Sequence, residues 1–344
     1  SSRVLVTGAD TFWGGRMIQA LENDPSIDVI LGIGTHAPSV PFERAEFVRA
    51  DQTYSIMKRI VKATQVDTIL HTFMITNSSS VPRRAMHEIN VIGTMNLLAA
   101  AGAAGSSVRH IVVKSSTLVY GSAASDPNTF LEDTPRTSVV KNSVERALVE
   151  ADGLIRDFAE DNPGTRVTVL RFANVLGEHL TTPISRNLSR PVCPAIFGYD
   201  PLLQFLEEDD VVRALLHVTQ SGVPGLYNVA ADGRLPWSEV ANICGTRLVP
   251  LSPFSPLKIR PLAHLFDLPA ELLDLLRYGR GVDTRRFAAT GFTYNSTSAG
   301  AVQAFIRSQR LRRQTGRQPA SYTYEHDTEQ FFRHSPSVVG GRET

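Results

Sequence analysis

The sequence predicts an α/β fold, a Rossmann-type doubly wound parallel sheet followed by a smaller C-terminal lobe. Three observations predict it. Short β-branched and apolar runs alternate with segments of helical periodicity, as in repeated strand–helix–strand units. The first run, residues 4–6, stops at a glycine-containing turn that leads directly into a helical pattern. The chain of 344 residues, 42% of them hydrophobic, is long enough to bury a core on both faces of such a sheet.

Charge and cysteine content exclude several classes of function. The formal net charge is +1, so no overall field favours nucleic acid or an anionic membrane as a partner. Cys193 and Cys244 have no metal or redox spacing, so we expect no metal and a reducing, cytoplasmic environment. The longest apolar stretch, residues 91–104, is too short and too often interrupted to span a bilayer.

Elements of the first half of the chain follow in the order expected of this sheet. We predict strands at residues 4–6, 27–33, 46–50, 67–71, 108–114 and 165–172. We predict helices at residues 12–21, 54–63, 91–104 and 138–158. The last of these helices has the clearest pattern, because its apolar residues recur with a period of about 3.6.

Beyond residue 175 the sequence becomes irregular and rich in proline, which is typical of a substrate-covering lobe. We predict a dinucleotide-binding core at 1–175, and a mainly substrate-binding lobe at 176–306 whose late strand and helices return to the core. The residues from 307 to 344 form a polar, arginine-rich tail. We expect the tail to be mobile or to pack on a partner, and tethering to a polyanion is a further alternative.

Several motifs appear in a fixed order along the chain. They are TGADTFWG from Thr7, EINVIGTMNLL from Glu88, SSTLVYG from Ser115, RFANVLG from Arg171 and DTRRF from Asp283. With these motifs the chain resembles the extended short-chain dehydrogenase/reductase family, the NAD(P)-dependent sugar-nucleotide epimerases, dehydratases and their relatives, over residues 3–306. The resemblance implies binding of NAD or NADP, a small-molecule nucleotide as ligand, and a homodimer.

By this resemblance, the cofactor-binding residues lie in the first turn, at the ends of the next strands and on a central helix. They are Gly8, Thr11, Phe12, Trp13, Gly14, Gly34, Thr35, Asp51, Gln52, Thr72 and Asn90. Thr11 stands where the family has a glycine, so its side chain would either crowd the cofactor or donate a hydrogen bond to it. Gly34 stands where the family has the acid that binds the adenosine ribose. No carboxylate is therefore expected there, and Thr35, His36 or a nearby arginine could receive a 2′-phosphate.

The catalytic pair Tyr-x-x-x-Lys of the family is replaced in this sequence. Counting back from Glu150 places Asn142 at the tyrosine position and Arg146 at the lysine position. A carboxamide cannot pass a proton at neutral pH and a guanidinium stays charged, so the usual proton relay is absent. Ser116 stands at the family's catalytic serine. Ser116, Thr117 and Asn174 are the expected substrate contacts.

Two interpretations of function remain open. The sequence departs from the family's motifs at Thr11, Gly34, Asn142, Arg146 and Leu203. Leu203 replaces an arginine that binds the substrate pyrophosphate in many relatives. The leading hypothesis is an atypical member, impaired in standard hydride transfer, that acts by binding a nucleotide or dinucleotide. The alternative is an active NAD(P)-dependent epimerase, dehydratase or reductase, on a sugar nucleotide or a hydroxy or keto compound. It would use Ser116 with Lys141, Arg146 or water as a non-standard acid–base pair.

Overall fold

The structure is a computed structural model that describes residues 2–78, 82–254 and 265–316. Its strands are β1 (Ser2–Thr7), β2 (Ile27–Gly34), β3 (Glu46–Arg49), β4 (Thr68–His71), β5 (His110–Ser116), β6 (Arg166–Phe172), β7 (Asn174–Leu176), β8 (Val192–Ile196), β9 (Leu202–Leu203), β10 (Phe205–Glu207), β11 (Gly225–Val229), β12 (Leu235–Pro236) and β13 (Arg247–Leu251). Within the same ranges the helices are α1 (Phe12–Glu22), α2 (Tyr54–Thr64), α3 (Arg83–His87), a π-helical turn (Glu88–Ile92), α4 (Gly93–Ala101), a 3₁₀ turn (Thr117–Tyr120), α5 (Ser143–Asp161), α6 (Pro183–Leu188), α7 (Glu208–Ser221), α8 (Trp237–Cys244), α9 (Ala270–Tyr278), α10 (Arg285–Ala288) and α11 (Ser298–Thr315).

Seven parallel strands form the central sheet, in the order β11-β6-β5-β4-β1-β2-β3. The order reverses beside β1, because the chain first builds outward to β3 and then crosses back to β4. The last residues of these neighbouring strands, Thr7 and His71, are paired in the register. In open parallel sheets, ligands bind outside the carboxyl ends of the strands at such a reversal. The predicted doubly wound α/β fold is confirmed, and the reversal marks the edge where a site is expected.

Apolar side chains on the two faces of the sheet form two separate cores. In β1, Val4 and Val6 belong to the core on one face, while Leu5 belongs to the core on the other. This alternation is expected of a strand buried on both sides. Among the described residues, no helix combines the length and the apolar character that a membrane-crossing segment requires.

A third core lies outside the central sheet. Its buried residues fall between Leu176 and Ile306, around the short strand pairs β8–β13 and β9–β12. Strand β11 is instead an edge strand of the central sheet, and helix α7 and Phe287 of α10 pack on that sheet. These late elements therefore return to the larger core.

Helix α5 begins five residues later than the periodicity predicts and ends three residues later, so the predicted range 138–158 is wrong at both ends. Asn142 is the N-cap, with φ −118° and ψ 163°, and its Oδ1 accepts a hydrogen bond from the Glu145 N–H at 2.8 Å. The side chain thereby satisfies an N–H group that has no partner within the helix. The residue expected at the catalytic tyrosine position thus starts the helix.

Helix α11 continues to Thr315, so the predicted start of the tail at residue 307 is wrong. Arg312 forms an ion pair with Glu178 at 3.4 Å, and Arg313 donates a hydrogen bond to the Ser189 carbonyl. Several of the predicted tail arginines therefore belong to a helix that packs on its own chain. The remainder of the predicted tail, residues 317–344, lies outside the described residues.

Replacing Asn142 with alanine tests its capping role. We expect Asn142→Ala to lower the free energy of unfolding by about 1 kcal/mol, because the first turn of α5 loses an acceptor. Asn142→Ser is the matched control, since a serine hydroxyl also caps helices, and it should stay within about 0.5 kcal/mol of the wild type. Urea unfolding followed by circular dichroism measures both variants. Equal stability of Asn142→Ala and the wild type would contradict the role.

Candidate active site

Two glycines shape the turn between β1 and α1. Gly8 has φ +66°, and a Cβ added there would lie 2.8 Å from Phe73 Cβ. A Cβ on Gly14 would overlap the carbonyl oxygen of Gly8. Helix α1 therefore approaches the end of β1 closely because residue 14 has no side chain. The N-terminus of α1 lies at the carboxyl edge of the sheet, where the positive end of the helix dipole can attract a phosphate.

Thr11 is the N-cap of α1, and its hydroxyl is used inside the turn. It donates a hydrogen bond to the Gly8 carbonyl at 2.6 Å and accepts one from the Gly14 N–H at 3.4 Å. Two outcomes were expected for this side chain, crowding a cofactor or donating a hydrogen bond to it. Because the turn holds the hydroxyl proton, the Thr11 hydroxyl is not available to donate to a cofactor, and crowding of a cofactor stays a prediction. Phe12 and Trp13 follow as the first helical residues, with ring centres 4.8 Å apart.

A carboxylate stands at the end of β2, although that strand carries none. Asp10 Oδ2, from the turn, accepts hydrogen bonds from the N–H groups of Thr35 and His36, both at 3.0 Å, and from Thr35 Oγ1 at 3.3 Å. Asp10 Oδ1 forms no hydrogen bond with a described residue, and a Cβ on Gly34 would lie 2.5 Å from it. The expectation that no acid is available here is wrong. Asp10 supplies the acid from another loop, and Gly34 leaves room for it.

Asp51 and Gln52 follow β3 at the same edge of the sheet. Asp51 Oδ1 is buried and has no hydrogen-bond partner in the described part of the chain. Buried polar atoms are normally satisfied, so a donor from a ligand, such as the amino group of a base, suits this position. The Gln52 carbonyl accepts a hydrogen bond from Asn96 Nδ2 at 3.1 Å, which ties the loop to α4.

The loop after β4 is held by buried polar side chains. Thr72 Oγ1 donates to the Thr7 carbonyl at 2.8 Å. Asn90, on the π-helical turn, accepts from the Ile75 N–H at 2.7 Å and donates to the Ile75 carbonyl at 2.8 Å. Both residues thus fix the backbone beside the strand reversal. π-helical turns are rare and are frequent at functional sites.

His71, the last residue of β4, is a structural histidine. Its Nδ1 lies 2.9 Å from Thr7 Oγ1 and its Nε2 lies 3.0 Å from Thr94 Oγ1. Burial lowers its pKa to about 4, so the ring is neutral at physiological pH.

A cavity of about 140 Å³ opens at the carboxyl ends of β5 and β6. Trp13 of α1 lines it, together with Ser116 and Thr117 after β5 and Asn174 at the start of β7. Side chains of the lobe, from Leu180 to Ile184 and from α9, close the other side. The structure therefore brings the three expected substrate contacts together, beside the first turn.

Ser116 and Asn174 are held through hydrogen bonds to the backbone. Ser116 Oγ accepts from the Leu118 N–H at 3.2 Å, which starts the 3₁₀ turn. Asn174 Nδ2 donates to the Gln204 carbonyl at 2.9 Å, which links β7 to the segment before β10. The hydroxyl proton of Ser116 forms no hydrogen bond with a described residue, so Ser116 can donate to a ligand in the cavity.

Arg280 and Glu271 are charged residues of the cavity that the sequence analysis did not identify. Arg280 donates to Thr117 Oγ1 at 3.3 Å, to the Gly121 carbonyl at 3.1 Å and to Ser122 Oγ at 3.2 Å, and burial lowers its pKa to about 10. Glu271 accepts from the N–H and the hydroxyl of Ser78 at 2.8 and 2.6 Å, and burial raises its pKa. No local pattern marks these positions, because each reaches the cavity from a distant part of the chain.

Lys114 is the third charged residue of the cavity, and it too escaped the sequence analysis. It lies inside β5, two residues before Ser116. Its Nζ is 4.8 Å from the ring centre of Trp13 and 5.7 Å from that of Phe172. Burial lowers its pKa to about 8. A lysine directly after the apolar run of residues 111–113 and two residues before Ser116 is the signal in the sequence that could have identified it.

The residues at the family's tyrosine and lysine positions do not line this cavity. Asn142 caps α5, and Arg146 is exposed on the same helix. Glu145 between them is buried and forms an ion pair with Arg136 at 2.6 Å. Lys141 is exposed, and Leu203 is fully buried in the third core.

The sheet reversal, the glycine turn and the adjoining cavity together form a Rossmann-type α/β architecture, with a cavity beside the strand reversal. A sequence profile of the NAD dependent epimerase/dehydratase family matches residues 4–230, and the chain belongs to this family. An uncharacterized protein of Mycobacterium tuberculosis is 34% identical over 320 residues, which cover 90% of this chain and 84% of that protein.

Solved structures share the fold at low sequence identity. WbmG of Bordetella bronchiseptica, in complex with NAD, superimposes with a TM-score of 0.69 at 17% identity, over 94% of this chain and 98% of that one. UDP-glucose 4-epimerase of Thermotoga maritima, with UDP-glucose, gives a TM-score of 0.67 at 17% identity, over 90% and 99%. At these identities the likeness establishes the fold alone.

Gly34→Ala tests the contact between Asp10 and the end of β2. We expect this variant to lose about 1–3 kcal/mol of unfolding free energy, because the new methyl group displaces a carboxylate that holds two N–H groups. Adding Asp10→Ala removes the overlap, so the double variant should lose less than the sum of the single losses. Urea unfolding measures the unfolding free energies of the wild type, both single variants and the double variant, which together form a double-mutant cycle.

Gly153→Ala, in α5, is the control for this cycle, because a Cβ there meets no atom within 4 Å. It should be neutral, or stabilising by about 0.5–1 kcal/mol. Strictly additive losses for Gly34→Ala and Asp10→Ala would contradict the contact.

Proposed function

We propose that the protein is an active NAD-dependent enzyme of the epimerase/dehydratase type, with an acid–base group other than the tyrosine and lysine pair. Its substrate is a secondary hydroxyl or keto group of a nucleotide-linked sugar. The observation that carries the proposal is that one cavity is lined both by Trp13, next to the dinucleotide turn, and by Ser116. The competing interpretation, binding without hydride transfer, is an outcome of the tests below.

The residues of the turn fit a dinucleotide, with NAD favoured over NADP. Asp10 Oδ1 and Asp51 Oδ1 are acceptors without a hydrogen bond to a described residue, and ribose hydroxyls and an adenine amino group are matching donors. A carboxylate at the end of β2 binds the ribose hydroxyls and repels a 2′-phosphate. Arg49 is the nearby cation that could instead attract the 2′-phosphate of NADP, and its Nε already donates to the Thr35 carbonyl at 2.9 Å. When bound, NAD supplies a hydride acceptor for the carbon that carries the substrate hydroxyl.

Family membership and the likeness to a structure containing UDP-glucose support a nucleotide-linked sugar as substrate. The cavity adds polar groups suited to sugar hydroxyls, namely Ser116, Thr117, Asn174 and Arg280. Leu203 is buried away from this cavity, so other groups would hold a pyrophosphate.

The resemblance also implies a homodimer through α4 and α5, and we include this state in the proposal. Met95, which is 43% exposed, lies on α4, one of the two helices that the resemblance places at the interface. Light scattering of the purified chain measures its mass, and a monomer would remove this part of the proposal.

Calorimetric titration with NAD, NADH, NADP and NADPH tests the cofactor site. We expect NAD and NADH to bind about tenfold or more tightly than their phosphorylated forms, because the Asp10 carboxylate repels the 2′-phosphate. Asp10→Ala should weaken NAD binding about 10- to 100-fold, since a hydrogen bond to a charged group contributes about 1.5–3 kcal/mol.

Asp157→Ala, which removes an exposed carboxylate on α5, is the matched control for this titration and should bind like the wild type. Equal binding of all four dinucleotides would contradict the role of Asp10. Binding of none would contradict the proposed function.

Turnover is tested by incubating the protein and NAD with UDP-glucose, UDP-glucuronic acid or dTDP-glucose, and recording proton NMR spectra of the sugar. We expect conversion of at least one, and a loss of about 100-fold or more in Ser116→Ala, because this hydroxyl donates to the reacting oxygen. If NAD binds and none of the three sugars is converted, the binding interpretation replaces this one.

A further inference from the structure

We infer that Lys114 is the acid–base group of the cavity, and that its amine exchanges a proton with the substrate hydroxyl, directly or through Ser116. The reaction that it serves rests on the proposed function. The position and the pKa of the amine do not depend on the proposed function, because both are properties of the protein chain alone.

Strand geometry places the amine beside the serine. Side chains two residues apart on a strand point to the same face, so Lys114 and Ser116 project together. Both line the cavity. Strand β5 lies between β4 and β6, and the register pairs Lys114 with Leu170 and Ser116 with Phe172. The two groups are therefore carried by an interior strand whose neighbours fix its position.

The surroundings of the amine favour its neutral form. Among the described residues, none forms a salt bridge or a hydrogen bond with Lys114. The rings of Trp13 and Phe172 attract an ammonium ion, while the loss of hydration opposes it. The pKa falls to about 8, so hydration loss dominates. Near that pH both protonation states are populated, which lets one group accept a proton and return it.

Charged groups on the neighbouring elements are already engaged with other partners. Glu208 of α7 pairs with Arg16 of α1 and with His179, and Asp210 pairs with Arg213. Within the cavity, Glu271 is bonded to Ser78 and Arg280 to the segment that follows β5. None of these carboxylates contacts Lys114, so no described acid holds it as a permanent ammonium.

The proposed step balances. In the oxidising direction the substrate O–H bond breaks, and its proton passes to the neutral Nζ of Lys114, which becomes an ammonium. The adjacent C–H bond would break with its hydrogen and electron pair passing to the oxidised nicotinamide dinucleotide, as a C=O bond forms. In the reducing direction the ammonium returns the proton to the oxygen, while the carbonyl carbon would receive the hydride from the reduced dinucleotide. No phenol is required, because the amine performs the proton transfer.

The first test measures the titration of Lys114 in the full chain without cofactor. The sequence contains five lysines, so ¹³C-labelled lysine gives five Cε signals, and Lys114→Met identifies one of them. We expect a midpoint near 8 for Lys114. The signals of the exposed Lys58 and Lys62, identified by their own methionine variants, serve as internal references. A midpoint of about 10 or above for Lys114 overturns the inference, whatever the outcome for NAD.

The second test compares Lys114→Met and Lys114→Arg, which cannot exchange the proton, with the surface control Lys62→Met. Both Lys114 variants should bind NAD like the wild type in calorimetry, yet lose about 10²–10⁴-fold in kcat on the sugar that the wild type converts. The kcat of the wild type should fall about tenfold per pH unit below the midpoint, as protonation removes the base. Wild-type turnover by Lys114→Arg overturns the inference. Failure of the wild type to bind any dinucleotide refutes the proposed function instead and leaves the titration result intact.

Discussion

The close contact between α1 and the end of β1 is the constraint on which the site depends. It exists because a side chain on Gly14 would overlap the Gly8 carbonyl. The contact sets Thr11 as the helix cap and leaves Asp10 at the end of β2. It also presents Trp13 to the cavity. The absence of a side chain at residue 14 thereby positions both Asp10 and Trp13, the two residues of the turn on which the proposed dinucleotide site depends.

The alternation of strands and helices predicted the sheet because parallel strands buried on both faces are short apolar runs, and their pattern is local. The contents of the site were harder to predict, since they depend on contacts between distant residues. Asp10 meets the end of β2, and Glu271 and Arg280 reach the cavity from beyond residue 269. The cap at Asn142 is an exception. The spacing Asn142-x-x-Glu145 is a helix-start pattern that is visible in the sequence. The resemblance to the family assigns the same residue, Asn142, to the catalytic tyrosine position.

The start of α5, where the family carries its catalytic tyrosine, has a structural role in this protein. Asn142 caps it, and the buried pair of Glu145 and Arg136 fixes its first turn. A phenol and an amine reach a working pKa by opposite routes. A phenol needs a nearby cation to lower its pKa, whereas an amine needs only the loss of water. Lys114 therefore requires no companion lysine, and the apolar wall formed by Trp13 and Phe172 is sufficient.

Asp10 and Gly34 are structurally coupled, because the carboxylate occupies the space that a side chain at residue 34 would need. A lineage that restores an acid on β2 must alter both positions, and either change alone creates a defect. A side chain at 34 overlaps the carboxylate, while loss of Asp10 leaves the N–H groups of Thr35 and His36 without their acceptor. Whichever of the two residues is replaced first, the singly substituted protein is expected to be less stable. The recessed carboxylate is therefore expected to persist by descent, even where a change of cofactor would be of advantage.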